Sequence, residues 1–222
     1  KPQKNVRHFA TLYPSMFQVA ARADSDIKSF EDMKGAKISP GKAQWTGTAF
    51  AESILKAYGM SFDSIKANGG IVHHVDYTES IALMKDGQAD VFMAATSMPQ
   101  ASFLELETSP GIRFIGLPDD KMKEILAANA GYIAGKMPKG VYQSVTEDLN
   151  TLGIVANMVV SADLPDDIVY QMCKVFWANH ATFAEVKSIW KRVKLENALD
   201  GMGAPLHPGA KKCYDELGVK AG

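Results

Sequence analysis

The sequence predicts an α/β fold with a largely parallel sheet, because short apolar strands alternate with segments of helical periodicity over the first half of the chain. The most informative stretch, residues 37–55, reads as a short strand, a glycine-containing loop and a helix. Ile38 ends the strand, Pro40 and Gly41 interrupt it, and apolar residues repeat at helical spacing after Gly47. Ligands of such sheets bind beyond the carboxyl ends of the strands, so the loops there are the first place to expect a site.

Length and composition are those of an ordinary globular protein. The 222 residues allow one large or two small domains. Basic residues are spread along the chain and the net charge is −1, which argues against a nucleic-acid partner. No apolar run approaches the length of about 18 residues that a membrane span needs. No signal peptide opens the sequence, and residue 1 is Lys rather than Met, so we expect a processed or trimmed product.

The chain before the strand–loop–helix stretch is rich in apolar and aromatic side chains. Tyr13 and Pro14 are expected to interrupt this region, so that a strand resumes at 17–22. Ser29 as N-cap and Gly35 as the stop then predict a single helical turn.

The later elements follow from the same periodicity and capping signals. In order, we expect a strand at 71–75, a helix at 76–84 capped by Asp76, a strand at 89–94, a helix at 100–107, a strand at 113–117, a helix at 119–128, an irregular segment at 137–142, a strand at 151–161, a helix from Asp163, a helical region at 183–198 and a last helix at 210–217. The helix from Asp163 is expected to bury a stripe formed by Ile168, Val169, Met172, Val175 and Phe176.

The histidines and cysteines do not form a catalytic or metal-binding pattern. His73 and His74 are adjacent in a predicted strand, so their rings point to opposite faces. His207 lies between two prolines and is expected to anchor a loop. Cys173 and Cys213 lack metal-ligand spacing; a disulfide is possible, but we expect two free, buried thiols. Because nucleophile-elbow and nucleotide-binding motifs are also missing, the sequence predicts a binding protein without catalytic residues, metal or cofactor.

The helix start near residue 46 has the features of an anion site. Thr46 or Thr48 can act as its N-cap, but no Glu or Gln follows at the spacing of a capping box. Its first N–H groups are therefore open at the positive end of the helix dipole. Gly47 lets a ligand approach the backbone, and Trp45 could cover the ligand with a flat apolar face. An ordinary strand-to-helix turn explains the same residues equally well.

A second loop with the same character follows the strand at 89–94. Residues 95–99 contain Thr96 and Ser97, and this loop leaves the carboxyl end of its strand as residues 40–48 do. Two such loops side by side would give a polar pocket floor rich in hydrogen-bond donors.

Several short strings, taken together, resemble a known family. They are LYP at 12–14, DSDIKS at 24–29, DMKG at 32–35, TGT at 46–48, KDGQAD at 85–90, DLPDDIVY at 163–170, ENALDG at 196–201 and PLHPGA at 205–210. In this order and spacing the set resembles the solute receptors of TRAP transporters of the TAXI type, from about residue 5 to the C-terminus. The resemblance implies a type II periplasmic-binding-protein fold, with two α/β lobes, a hinge and a ligand in the cleft. It also implies a periplasmic, extracytoplasmic receptor that hands its solute to a TRAP membrane permease.

The chain departs from that family at several points. The Gly-rich, Ser/Thr-rich segment that usually comes first is missing, which implies an incomplete first lobe. By this resemblance, residues 1–25 and 130–222 form the first-lobe remainder with the C-terminal helices, and residues 26–129 form the second lobe. Ser15 replaces the usual acid, Trp45 and Thr46 replace a Gly-Ser pair, and Ser97 replaces a Gly, so the identity of the solute does not transfer.

The resemblance also implies the ligand-binding residues. Trp45, Thr46, Gly47 and Thr48 would hold a ligand carboxylate at the helix N-terminus. Thr96 and Ser97 would add hydroxyl donors, Tyr13 would reach the cleft from the other lobe, and Tyr142 is a weaker candidate. The implied solute is a small carboxylate, namely an amino acid such as glutamate or a dicarboxylate.

Two other classes of function stay open. One is a cytoplasmic effector-binding domain of a regulator with the same fold, which would need a DNA-binding helix pair upstream. The other is an enzyme built on this fold, which would need an acid or base in the cleft, where the loops supply only hydroxyls, Lys42 and Trp45.

Overall fold

The computed structural model describes residues 4–219. The chain divides into two compact units. The central unit is Ser15–Ile154, and the terminal unit combines the described residues up to Pro14 with those from Val155 onward. The division into lobes at 1–25, 26–129 and 130–222 stays a prediction.

Seven strands and eight α-helices lie in the part of the chain that is described. The strands are β1 (Val6–Arg22), β2 (Lys37–Ser39), β3 (Ile71–Val72), β4 (Val91–Thr96), β5 (Ile112–Phe114), β6 (Ile133–Met137) and β7 (Leu149–Ser161). The α-helices are α1 (Thr46–Ala57), α2 (Phe62–Ala67), α3 (Tyr77–Lys85), α4 (Ala101–Thr108), α5 (Asp119–Ala128), α6 (Asp166–Ala178), α7 (His180–Val186) and α8 (Pro208–Glu216). Short 3-10 turns occupy Glu31–Met33, Ser188–Arg192 and Leu195–Asn197.

The sheet has the strand order β3-β2-β4-β1-β7-β6, with β5 also paired to β1. Strand β2 is parallel to β3 and β4, whereas β1 is antiparallel to β4 and β5, and β6 is antiparallel to β7. The expectation of a largely parallel sheet is therefore wrong for β1. The strands joined by helical crossovers are parallel, as such connections require, but β1 enters the sheet before the first crossover helix.

Strong local signals placed several elements correctly. Helix α5 has the predicted bounds, β2 ends just before Pro40, and the side chain of Asp76 accepts a hydrogen bond from the N–H of Glu79 at the start of α3. At the end of α1, Gly59 has φ +67°, the left-handed conformation in which a glycine commonly ends a helix.

Other expectations were wrong where pairing along the sheet overrides local sequence. Strand β1 runs through Tyr13 and Pro14. Proline lacks an N–H to donate, but its fixed φ is compatible with an extended strand. The strand expected at 71–75 is only Ile71–Val72, and β6, which was not expected, forms by pairing with β7. The start of α6 also differs from the expectation, for a reason unrelated to the sheet. The helix begins at Asp166 with Pro165 in the N-cap position, and Asp163 does not cap it.

The core of the central unit covers both faces of the sheet. Phe17 and Val19 of β1 pack with α1 on one face, whereas Ala20 and the β4 residue Phe92 belong to the cluster on the other face. Alternate residues of a strand point to opposite faces, so a sheet buried on both sides reads as a continuous apolar run. This arrangement fixes the ends of β2 and β4, which carry the two loops of interest.

The terminal unit contains the clearest correction to the sequence-based expectations. Cys173 of α6 and Cys213 of α8 form a disulfide and are fully buried, so the prediction of two free thiols is wrong. The two helices pack closely: a Cβ at Gly209 would lie 2.1 Å from the carbonyl oxygen of Asp166. This approach, which brings the two cysteines together, depends on tertiary packing rather than on local spacing.

The buried face of α6 is also rotated from the expected stripe. Val169 and Cys173 are buried, whereas Ile168, Met172 and Val175 are exposed, by 48%, 39% and 60%. The helix carries apolar residues on more than one side, so periodicity alone did not select the face. Among the described residues, no helix is long and apolar enough to cross a bilayer.

Candidate functional site

Helix α1 begins without a side-chain cap. Trp45 is its N-cap residue and makes no side-chain cap bond, so the expectation that Thr46 or Thr48 caps the helix is wrong. Thr48 is buried, and its hydroxyl donates instead to the carbonyl oxygen of Lys42 at 2.9 Å, with those of Pro40 and Gly41 within 3.3 Å. The threonine thus holds the turn after β2 against the helix, and no side chain of the described residues caps the first N–H groups of α1.

Gly47 brings the start of α1 against the end of β4. A Cβ at this position would lie 3.0 Å from the carbonyl oxygen of Pro40, 3.5 Å from the N atom of Ala95 and 3.8 Å from the Cα of Ala94. The 40–48 and 95–99 segments therefore lie side by side, as the sequence predicts. Only a residue without a side chain fits this contact without displacing the backbone around it.

The second segment places its hydroxyl residues at the strand end. Thr96 is the last residue of β4 rather than part of the loop, and Ser97 follows it. Both residues are half-buried. The structure thus brings Trp45, Thr46, Gly47 and Thr48 close to the strand end that carries Thr96 and Ser97, all within the central unit.

Trp45 forms an exposed aromatic surface beside the helix start. Its ring is edge-on to that of Tyr77, with centroids 5.0 Å apart and an interplanar angle of 81°. Gly41, at φ +92°, lies under the indole: a Cβ there would be 3.2 Å from Trp45 Cε3. The indole is 36% exposed, so it is anchored on one side and open on the other. Such a ring can contact a ligand without first being ordered.

A pair of opposite charges borders this surface. Lys42 Nζ lies 5.6 Å from the centroid of the Trp45 ring and 3.4 Å from Asp76 Oδ2. The pKa of Asp76 is lowered mainly by the hydrogen bond from the Glu79 N–H, and to a smaller extent by the contact with Lys42. Its carboxylate is therefore charged at neutral pH. Both partners are about half exposed, and solvent screens an exposed pair of this kind, so it contributes little to stability. Lys42 can therefore leave Asp76 for a ligand anion at small cost.

The aromatic residue behind Trp45 is neutral. Burial raises the pKa of Tyr77, against a smaller opposing effect of its hydrogen bond with the backbone of Ala95. Tyr77 therefore links the Trp45 surface to the end of β4 as an uncharged group. Open N–H groups, a mobile lysine charge, hydroxyls and an aromatic face are together suited to binding an anion with a small organic part.

Sequence reasoning missed a buried residue beneath the second segment. Gln18 of β1 is fully buried, and its Nε2 donates to the carbonyl oxygens of Thr96 and Ser97, each at 3.4 Å. Its Oε1 accepts a hydrogen bond from the hydroxyl of Tyr142. Tyr142, the weaker ligand candidate, is 2% exposed and also accepts from the N–H of Gln100 at 2.8 Å. The one sequence signal for this set was a glutamine within an apolar strand, since a buried amide needs partners.

The remaining candidates lie apart from these loops in the chain. Tyr13 belongs to the terminal unit, where its half-buried ring is edge-on to Trp190 at 6.4 Å. His207 is buried, with Nε2 bonded to the carbonyl oxygen of Leu164 and Nδ1 accepting from the N–H of Gly209. It is a loop anchor, as expected.

The paired histidines bond to backbone carbonyls. His73 bonds to Gln88 and His74 to Gly41. Within residues 4–219, no group of three or more His, Cys, Asp or Glu side chains is arranged to hold a metal ion.

Comparison with protein families gives a match over nearly the whole chain. Residues 1–218 match the model of the NMT1-like family. The chain belongs to the NMT1-like family. The resemblance to TAXI-type receptors is a finer assignment and stays a prediction.

Solved structures place this NMT1-like chain in a known fold. The periplasmic sulfonate-binding protein SsuA from Methylobacillus flagellatus KT is 15% identical with a TM-score of 0.52, over 92% of this chain and 55% of that one. SsuA from Escherichia coli is 11% identical with a TM-score of 0.41, over 84% and 47%. The L-cystine solute receptor of Neisseria gonorrhoeae is 17% identical with a TM-score of 0.37, over 85% and 60%.

The first of these likenesses confirms the α/β fold of the type II periplasmic-binding-protein class. The NMT1-like chain spans about half the length of the sulfonate-binding structures.

Proposed function

We propose that this NMT1-like chain forms part of an extracytoplasmic solute receptor. It binds a small carboxylate, an amino acid such as glutamate or a dicarboxylate, and delivers it to a TRAP-type membrane permease. The observation that carries the proposal is the contact of Gly47 with the end of β4, which puts an uncapped helix start beside Thr96 and Ser97. Such a place favours negative charge through open N–H groups and the helix dipole.

The ligand carboxylate would accept hydrogen bonds from the backbone at Thr46 and Gly47. The hydroxyls of Thr46, Thr96 and Ser97 would add donors, and each bond to a charged carboxylate contributes roughly 1.5–3 kcal/mol. Thr48 contributes indirectly, because its hydroxyl and its N–H are already bonded within the turn. Tyr13 stays a predicted contact from the other lobe.

Trp45 would act as the size filter of the site. Its indole rests on Gly41 and Tyr77 and leaves its other face open, so the organic part of the ligand would pack on a fixed surface. Trp45→Ala should then widen the range of carboxylates that bind. An unchanged ligand profile in that variant would contradict this role.

A periplasmic location agrees with the disulfide between Cys173 and Cys213. Disulfides persist in oxidising compartments such as the bacterial periplasm and are rare in the cytosol. The alternative, a cytoplasmic effector-binding domain of a regulator, fits this bond less well. The TRAP type would be identified if transport by the complete receptor with its permease is driven by an ion gradient rather than by ATP hydrolysis.

Sulfonates form a second candidate ligand class. The structure matched at a TM-score of 0.52 is described as sulfonate-binding, and a sulfonate, like a carboxylate, is an oxyanion that accepts hydrogen bonds at a helix N-terminus. The two classes use the same donors, so a direct competition separates them.

The test is a titration of this chain and of the full gene product with L-glutamate, succinate and ethanesulfonate. Binding is followed by calorimetry and by tryptophan fluorescence, with Trp45→Phe to assign the signal. We expect saturable binding of one carboxylate that changes Trp45 fluorescence. Saturation by ethanesulfonate alone would favour the second candidate, and no binding by the full gene product across a wider panel of organic acids would contradict the receptor proposal.

A matched pair of glycine variants tests the location of the site. Gly47→Ala inserts a methyl group 3.0 Å from the carbonyl oxygen of Pro40 and should separate the two segments by a few tenths of an ångström. We expect affinity to fall at least about tenfold, the equivalent of one lost hydrogen bond to a charged carboxylate. Gly131→Ala is the control, since no described atom beyond its two chain neighbours lies within 4 Å of the added atom. Equal affinities in the two variants would place the ligand elsewhere.

A further inference from the structure

We propose that Gln18 and Tyr142 are positioning residues that hold the segment after β4 in its binding conformation, an inference that rests on the proposed function. Neither side chain contacts the ligand in this scheme, since Gln18 is fully buried and Tyr142 is 2% exposed. They act on the backbone of Thr96, Ser97 and Gln100, which we call the β4–α4 segment.

Their hydrogen bonds hold the β4–α4 segment at both ends. At its start, Gln18 Nε2 donates to the carbonyl oxygens of Thr96 and Ser97 at 3.4 Å. At its end, the Tyr142 hydroxyl accepts from the N–H of Gln100 at 2.8 Å. The same hydroxyl donates to Gln18 Oε1, so one continuous chain of bonds joins the two ends.

Tyr142 is itself fixed in place by α4. Two residues further on, the N–H and the hydroxyl of Ser144 donate to Glu107 Oε1 at 2.7 and 2.6 Å. Glu107 lies near the end of α4, whereas Gln100 caps its start and accepts from the N–H of Ser102 at 2.6 Å. The loop that carries Tyr142 is thus tied to both ends of the helix that follows the β4–α4 segment.

Packing alone does not require this polar pair. Methionine and phenylalanine would fill comparable volumes, and apolar pairs often replace buried polar pairs without loss of stability. The polar pair adds directional hydrogen bonds. These bonds fix the carbonyl groups of Thr96 and Ser97 and the N–H of Gln100, next to the Thr96 and Ser97 hydroxyls that the proposed site uses. Ordering a flexible segment when a ligand binds lowers the affinity, and a segment that is already ordered avoids this loss. Removal of the pair should therefore weaken binding.

The test uses Tyr142→Phe with Tyr58→Phe as its matched control. Both hydroxyls are buried, and burial raises the pKa of each tyrosine to about 12. The Tyr58 hydroxyl, however, has no hydrogen-bond partner within the described chain. The control therefore removes the same atom from the same residue type without touching the β4–α4 segment. Gln18→Met is a second variant that removes the bonds at the other end.

The first measurement is amide hydrogen exchange of the unliganded chain, resolved at residues 96–100. We expect exchange at Gln100 to become about tenfold faster in Tyr142→Phe, because its N–H loses its acceptor, and to stay unchanged in Tyr58→Phe. Gln18→Met should speed exchange in the same segment. Equal exchange in Tyr142→Phe and Tyr58→Phe would overturn the positioning role.

The second measurement is affinity for L-glutamate or for succinate, whichever the unmodified full gene product binds. We expect about fivefold weaker binding in Tyr142→Phe than in Tyr58→Phe, after both variants are shown to be folded. Equal affinities would overturn the link between the segment and the site. If the unmodified protein binds neither probe, the carboxylate assignment fails, and the exchange measurement still decides whether Gln18 and Tyr142 hold the segment.

Discussion

The disulfide between Cys173 and Cys213 should contribute much of the stability of the terminal unit. The two cysteines are 40 residues apart in sequence. Closing a loop of that length removes conformational entropy from the unfolded chain worth about 4 kcal/mol by the chain-entropy relation. We therefore expect Cys173→Ala/Cys213→Ala to lower the free energy of unfolding by about 4 kcal/mol, roughly a thousandfold in the folding equilibrium. Loss of the two buried sulfur atoms would add to this cost.

The assay is guanidinium unfolding of the oxidised chain, the reduced chain and the double variant. Trp177 and Trp190 lie between the two cysteines and report on the terminal unit, and Trp45→Phe removes the signal from the central unit. The reduced chain should unfold at a lower denaturant concentration than the oxidised chain, close to the double variant. Two reactive thiols in the unfolded, unreduced chain, or equal unfolding free energies with and without reductant, would refute the reasoning.

Two further predictions concern the terminal unit. Burial lowers the pKa of His8, whose Nε2 donates to the carbonyl oxygen of Ala198 and whose Nδ1 has no partner among the described residues. The unfolded chain then binds the proton at higher pH than the folded chain, so stability should fall below about pH 6.5, by up to about 1.4 kcal/mol per pH unit. Unfolding followed between pH 7.5 and 5 should show this slope, and its persistence in His8→Gln would assign it to another group. Gly209→Ala should destabilise by about 3 kcal/mol, because its Cβ would lie 2.1 Å from the carbonyl oxygen of Asp166. Gly203→Ala is the control in thermal unfolding, because among the described residues only its two chain neighbours lie within 4 Å of the added Cβ. Similar losses of stability in both variants would contradict the close packing at Gly209.

The elements predicted well from sequence are those whose boundaries are set by nearby residues. Helix α5 follows Pro118 and starts with two acids, and Pro40 and Gly41 end β2 whatever lies around them. Strand β6 had no such signal, because its five residues, with Ala134, Gly135 and Lys136 at the centre, become a strand only by pairing with β7. The exposed face of α6 was misassigned for a related reason: only the position of α8 decides which apolar side chains are covered.

The candidate site divides in the same way. The adjacency of its two segments could be predicted, since the ends of neighbouring parallel strands meet at one edge of a sheet, and the contact of Gly47 with Ala95 confirms it. Their ligand-binding role stays a prediction. The use of each hydroxyl could not be predicted. Thr48 had the features of a cap, but its hydroxyl bonds to the carbonyl oxygen of Lys42, which reaches it only because the turn folds back over the helix start.

The contact between Gln18 and Tyr142 could not be predicted from local sequence. They are 124 positions apart in sequence, and no spacing or periodicity relates them. The sequence offers only a glutamine in an apolar strand and a tyrosine in a segment expected to be irregular. A buried amide must have partners, so the glutamine indicates that a polar contact exists without naming it. The partner follows only from the fold, because β1 and the loop after β6 meet beneath the end of β4, where the backbone of the proposed site needs support.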